Sequence, residues 1–295
     1  MADAELEAVL AVLKANPMDL TASEQTLRAG IDRMGDAFAI PEGVRVTQIH
    51  VGGVASEHVV AKAGGPLLLY LHGGGYVIGS PKSHRHVVAR LVEALGGEAY
   101  VPDYRMAPEA PFPAAVDDAV AVYAALSEAH PARGIVIAGD SAGGGLAFAA
   151  AIRIVAAGLA APAAVVGISP WVNLGTENDS YDALAQVDPM LSRPAADYFS
   201  ARYLSGRPAT DPAASPLFAD LAGLPPVLIQ VGDREVFLGD AVKMHHALTA
   251  AGVQSELSVW PRMFHVWHAY WPMLAQGREA IEEIADFVRR RASAS

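Results

Sequence analysis

The sequence predicts an α/β protein, with a mostly parallel sheet covered by helices on both faces. Three observations predict it. Short apolar runs rich in β-branched residues alternate with longer segments of helical spacing through most of the chain, which is the pattern of consecutive βαβ units. Gly139-Asp140-Ser141-Ala142-Gly143 lies where one such run meets one such helix, so that a serine occupies a tight strand-to-helix turn. The chain has 295 residues, 52% hydrophobic and 18% charged, enough to bury a core on two faces of a sheet.

In chain order, residues 3–15 and 20–38 carry helical apolar spacing (Leu6, Val9, Leu10, Leu13, then Leu27, Ile31, Met34, Phe38), and Asn16-Pro17 separates them. They form either a surface hairpin or a cover over a site. Strand-like segments follow at 44–49, 58–61 and 67–71. Helix 84–95 then leads to strand 98–102, helix 114–126 to strand 133–138, and helix 141–157 to strand 164–169. The alternation stops at Trp171. Residues 171–223 are rich in Asp, Pro, Ser and Tyr, with one helix-like piece at 195–204, and such a length without structure is uncommon in a compact domain, so it reads as an insertion. The pattern resumes with strand 226–231, helix 238–250, strand 255–260 and a last amphipathic helix reaching about 291.

Composition narrows the function. A net charge of -11 and a pI near 5.3 argue against nucleic acid or an anionic membrane as partner, since both bind basic faces. There is no cysteine, which excludes disulfides, thiolate chemistry and Cys-ligated zinc. Met-Ala-Asp-Ala-Glu-Leu-Glu opens the chain without the basic and apolar regions of a secretory signal, and no apolar run reaches the ~20 residues that span a bilayer. The expectation is a cytoplasmic protein with a small neutral ligand and no membrane insertion.

A serine on a strand-to-helix turn has its hydroxyl exposed above the sheet, and the N–H groups opening the helix face the place where a negative oxygen would develop. With 27 glycines in the chain, G-x-S-x-G is expected by chance on the order of 0.1 times, so its context decides. Acyl transfer by a serine needs a base, an acid that orients the base, and N–H donors for the oxyanion. All three are offered in the order Ser, carboxylate, His. His72-Gly73-Gly74-Gly75-Tyr76 follows the strand at 67–71, and its bare backbone N–H groups can approach a substrate oxygen together with that of Ala142.

His72-Gly-Gly-Gly-Tyr76, Asp103-Tyr104-Arg105-Met106-Ala107-Pro108-Glu109, Phe112-Pro113-Ala114-Ala115, Gly139-Asp-Ser-Ala-Gly143, Ser169-Pro170-Trp171 and Phe264-His265-Val266-Trp267 occur in an order that resembles the bacterial hormone-sensitive-lipase-like carboxylesterases of the α/β-hydrolase fold. The resemblance covers nearly the whole chain. It implies an eight-stranded sheet in a catalytic domain of residues 41–170 and 224–295, under a helical cap made of residues 1–40 and 171–223. It also implies ester hydrolysis through an acyl-enzyme without a cofactor. The capped architecture adds the expectation of short to medium acyl chains, no metal is expected, and the sheet edge at 255–260 offers a surface for a homodimer, as in relatives. Carried over residue by residue, Ser141 matches the nucleophile, His265 the base, and Gly73, Gly74 and Ala142 the oxyanion donors, with His72 and residues 103–109 holding the oxyanion loop.

The departure is at the acid. Gly232-Asp-Arg-Glu-Val-Phe-Leu-Gly-Asp240 stands where the family usually has an Asp-Pro-Leu turn, which leaves Asp233 and Glu235. Glu235 is favoured: it aligns with the family's carboxylate, and Asp233, nearer the strand end, is expected to cap the following helix. Of the other histidines, His84 and His86 have metal-like spacing but no carboxylate cluster in sequence, His245 and His246 read as solvated surface, and His268 competes with His265. A lactone hydrolase with the same triad is the alternative enzyme, and a ligand-binding receptor on the same fold is the non-enzymatic one. Ser141 argues against the fold's members that use an Asp nucleophile.

Overall fold

The computed structural model describes residues 2–292. Eight strands, β1 (Arg45–Val51), β2 (Val54–Val60), β3 (Leu67–Leu71), β4 (Glu98–Pro102), β5 (Ile135–Asp140), β6 (Ala164–Ile168), β7 (Val227–Gly232) and β8 (Ser255–Trp260), form one sheet in the order β1-β2-β4-β3-β5-β6-β7-β8. β2 pairs antiparallel with β1 and β4, and every pairing from β4 through β3 to β8 is parallel. Gly52 and Gly53, both at positive φ, close the first hairpin in two residues, a turn that needs φ above zero at both positions.

The described residues hold nine helices: α1 (Ala2–Ala15), α2 (Glu24–Asp36), α3 (Pro81–Leu95), α4 (Ala114–Ala129), α5 (Ala142–Ala156), α6 (Ser180–Ala183), α7 (Arg193–Leu204), α8 (Leu238–Ala250) and α9 (Ala275–Ala292). Of these, α3, α4, α5, α8 and α9 pack on the sheet. Strand β3 explains why both faces are dry. Leu67, Leu69 and Leu71 enter a core with residues of α4, α5 and α8, while Leu68 and Tyr70 enter a second core with residues of α3 and α9, as the period-2 alternation of a strand requires. Helix α3 starts three residues before its apolar spacing does. Ser80 caps it in a capping box with Ser83, and Pro81 occupies the first turn, where its missing N–H costs nothing.

The N-terminal helices are joined to the rest by side chains, and residues 171–223 by side chains and by backbone bonds such as Phe112 N–H to Tyr203 O at 2.8 Å. Leu6, Val9 and Leu13 of α1 pack with Met263, Phe264 and Trp267 in a third core. Helix α2 meets α7 through Arg202 Nε, which donates to Glu24 Oε1 at 2.8 Å. The insertion holds α6, α7 and a 3-10 turn at Pro216–Phe218. No helix among the described residues is long and apolar enough to cross a membrane.

Candidate active site

Strand β5 ends at Asp140 and α5 begins at Ala142, so Ser141 alone makes the turn. It does so at φ 53, ψ -122, a region costly to a residue with a Cβ, and its neighbours must be small. A Cβ on Gly139 would collide with the carbonyl of Gly143, and one on Gly143 with that of Leu71. The turn is tied to the next strand by Ser141 N–H donating to Ile168 O at 2.9 Å, and Trp171 N–H donates to Ser141 O at 2.8 Å.

His265 lies in the loop after β8 and Glu235 in the turn after β7. Glu235 is fully buried. Its Oε2 accepts from His265 Nδ1 at 2.8 Å, and its Oε1 accepts from Ser169 Oγ at 2.8 Å and from Gly232 N–H at 2.6 Å. Ser169 Oγ in turn accepts from Val266 N–H at 3.1 Å, so one hydroxyl links Glu235 to the residue after His265. With Nδ1 bonded to a carboxylate, the Nε2 of a neutral His265 is the free acceptor. The ring of Phe237 stands edge-on to the imidazole at a centroid distance of 5.1 Å. Ser141 and His265 line one cavity.

Asp233 is elsewhere. Its Oδ1 accepts from Arg262 N–H at 2.6 Å, and α8 has Phe237 at its N-cap with no side-chain cap bond. The expectation that Asp233 caps this helix is therefore corrected: it braces the loop that leads to His265. His268 is buried, its Nε2 shares a hydrogen bond with Gln230 Oε1 at 2.7 Å, and burial pushes its pKa down to about 3. It is a neutral core histidine. His245 is bonded to Ser255 Oγ at 2.9 Å, while His246 is exposed.

The glycine loop requires a second correction. Gly73 N–H donates to Asp140 Oδ1 at 3.2 Å, so it is committed within the protein, and it does not line the cavity. Gly74 and Gly75 do line it. They stand at φ 118 and 62, and the N–H groups of Gly74, Gly75 and Ala142 have no acceptor among the described residues. A Cβ on Gly75 would run into the Phe199 ring of α7, which brings the insertion directly onto this loop.

What holds the loop is a set of buried polar contacts. His72 stacks on Tyr104 with ring centroids 4.2 Å apart, Tyr104 hydroxyl donates to His72 O at 2.7 Å, and burial pushes the His72 pKa down to about 3. Arg28 of α2 donates from Nε to Val77 O at 2.8 Å and from Nη2 to Ala107 O at 2.9 Å, and it also pairs with Glu109. Asp140 accepts from Tyr70 hydroxyl at 2.8 Å and lies 3.2 Å from His84 Nε2. Burial works against both charges of this pair. The pair's mutual attraction outweighs it, so the Asp140 carboxyl stays below its usual range and His84 above its own. His84 is thus an ion-pair partner of the residue before Ser141. Their separation of 56 residues hid this from any local pattern.

The cavity holds about 170 Å³ and is lined on its outer side by Met18, Ile31 and Met34 and by Met190, Leu191 and Phe199. Both segments outside the sheet therefore contribute to its wall.

A serine turn, a buried Glu-His pair and free N–H groups converging on one apolar cavity define a hydrolase site on an α/β-hydrolase fold. A family model described as the alpha/beta hydrolase fold matches residues 68–269. The chain is 43% identical over 294 residues to an acetyl-hydrolase of Streptomyces hygroscopicus, covering 98% of this chain and 97% of that one. It is 31% identical to an esterase of Acinetobacter venetianus, with 95% and 94% covered. Among solved structures it is similar to EstE5, soaked with p-nitrophenyl butyrate (TM-score 0.93, 40% identity, 98% of this chain and 99% of that one). An esterase from the bacterial hormone-sensitive lipase family also matches (TM-score 0.93, 38% identity, 98% of each). The chain belongs to the α/β-hydrolase family, within its hormone-sensitive-lipase-like esterases, and is a carboxylic ester hydrolase.

Proposed function

We propose that Ser141, His265 and Glu235 are the catalytic triad, that Gly74, Gly75 and Ala142 supply the oxyanion donors, and that the substrates are esters of short to medium acyl chains. Ser141 Oγ attacks the ester carbonyl while His265 Nε2 takes its proton. The developing oxyanion accepts from the three free N–H groups, and Glu235 stabilises the imidazolium through the Nδ1 bond. Collapse breaks the C–O bond, His265 protonates the leaving alcohol, and water activated by the same imidazole releases the acid from Ser141. The observation that carries this reading is the 2.8 Å bond between His265 Nδ1 and Glu235 Oε2 beside a cavity that both His265 and Ser141 line.

The acyl preference rests on volume and on the cap. Residues 1–40 and 171–223 are read as that cap, because Met34 and Leu191 face one cavity from the two segments. About 170 Å³ is less than the roughly 300–1,000 Å³ of pockets for drug-sized ligands, which supports a preference for shorter acyl chains. Hydrolysis of p-nitrophenyl esters of increasing length, with a panel of lactones alongside, tests this: kcat/KM should fall steeply beyond medium chains and exceed that for any lactone. Equal rates on four-carbon and sixteen-carbon esters would refute the bounded pocket. The free edge of β8 is the surface by which two copies would pair.

A further inference from the structure

One carboxylate of residues 171–223 reaches the turn that carries Glu235. Asp188 lies between α6 and α7, and its two oxygens serve different parts of the molecule. Oδ1 accepts from Met190 N–H and Leu191 N–H, both at 2.9 Å, which shapes the short segment that forms the cavity wall. Oδ2 accepts from Val236 N–H at 2.9 Å, the residue next to Glu235 in the turn after β7. A single group therefore ties the cavity wall at Met190 and Leu191 to the Glu235 turn. Burial raises the Asp188 carboxyl above its ordinary range, and the charge of His265 and the three N–H donors partly offset this.

We propose that Asp188 is a positioning residue for ester hydrolysis, holding the Glu235 turn in register from the insertion so that the triad is assembled only when that segment is seated. The inference rests on the proposed triad. Three N–H donors converging on one carboxylate exceed what a surface turn requires, and charge-assisted bonds of this kind are the strong ones. A cap that only bounded the pocket would need no bond to the acid turn. The titratable groups facing the imidazole are Glu235, bonded to it, Asp188 from the insertion, and the neutral His268 in its own loop.

The test is a double-mutant cycle with Asp188→Asn and Glu235→Gln, read with p-nitrophenyl acetate. Asparagine keeps the shape but presents only one oxygen acceptor, so one set of N–H donors is left unpaired. Alone, D188N should lower kcat roughly 10- to 100-fold with KM changed less than about threefold. It should also move the acidic limb of kcat/KM to lower pH, because a negative charge facing the imidazolium is gone. In the E235Q background it should cost less than about threefold, since the group it positions is already disabled. Additive effects, an unmoved pH profile, or a change in KM alone would overturn the inference. If D188N does not fold, Asp188→Ser, which retains an oxygen without the charge, is read in the same way. The outcomes separate the two claims: wild-type kcat in E235Q would remove the triad reading itself, whereas a crippled E235Q with a normal D188N would remove only the role of Asp188.

Discussion

The ends of the central strands and the segments laid over them are built by different means. Ser141 follows β5, Glu235 follows β7 and His265 follows β8, and the parallel register that sets Asp140 beside Ile168, and Gly232 beside Trp260, brings these turns together at the C-terminal ends of the strands. Backbone hydrogen bonds do this work. The overlying segments have no ladder to the sheet. Helix α2 is attached by Arg28 to Val77 O and Ala107 O and by Asp32, which accepts from Ser80 Oγ at 2.5 Å, and the Asp188 loop is attached through Val236 N–H. The difference teaches that the chemistry is fixed by topology and the pocket by long-range side-chain contacts, so substitutions in the two regions should fail in different ways.

The largest effect expected at the strand ends is that of Ser141→Ala. It should lower kcat by on the order of 10⁶ with folding intact, since the nucleophile is the whole covalent route. Labelling of the wild type by a fluorophosphonate, absent in the variant, measures the same point, and an unlabelled wild type would contradict it.

Removing residues 1–38 should be next in size, and it should damage both regions at once. Leu6, Val9 and Leu13 cover Phe264 and Trp267, which flank His265, and Arg28 leaves the oxyanion loop. Most activity should be lost and the exposed apolar surface should promote aggregation. A soluble truncated protein with full activity would show that the two regions are independent.

Smaller, and confined to stability, is the response to acid. Buried His72, His86 and His268 have pKa values pushed down to about 3, 4 and 3, so they stay neutral in the fold while the unfolded chain takes up protons below roughly 6.5. The sign is fixed: stability is fully present above that value and is lost as pH falls toward 4, by about 4 kcal/mol per unit for the three together. His84, held above its ordinary value, contributes stability that is complete below the unfolded value and lost only at higher pH, so it leaves the acid limb unchanged. Tm measured from pH 7 to 4.5 should fall steeply, and a flat profile would contradict the assignment of three neutral buried histidines.

Most of the strand-end region was legible in the sequence because its signals are local. Strands Leu67–Leu71, Glu98–Pro102 and Ser255–Trp260 coincide with the segments read as strands, and the five residues around Ser141 specify a turn that only glycines permit. The rest depended on partners far along the chain. Gly73 reads as an oxyanion donor until Asp140, 67 residues on, takes its N–H. Asp233 reads as a helix cap until Arg262 N–H, 29 residues on, reaches it. Ser169 lies within a recognisable Ser-Pro-Trp sequence, yet its bonds to Glu235 and Val266 follow from the crossing of β6, β7 and the loop after β8, which no spacing encodes.

The central claim is that Glu235 is the acid, and kcat for Glu235→Gln against Asp233→Asn tests it most directly. An acid fixes the imidazole tautomer and stabilises the imidazolium, and losing that function in a serine triad costs about 10⁴ in kcat. Glu235→Gln should lose three to four powers of ten, roughly, with KM little changed. Asp233→Asn should cost less than about tenfold, because an amide oxygen can still accept from Arg262 N–H. The reverse order, with Asp233→Asn the crippled variant, would contradict the account.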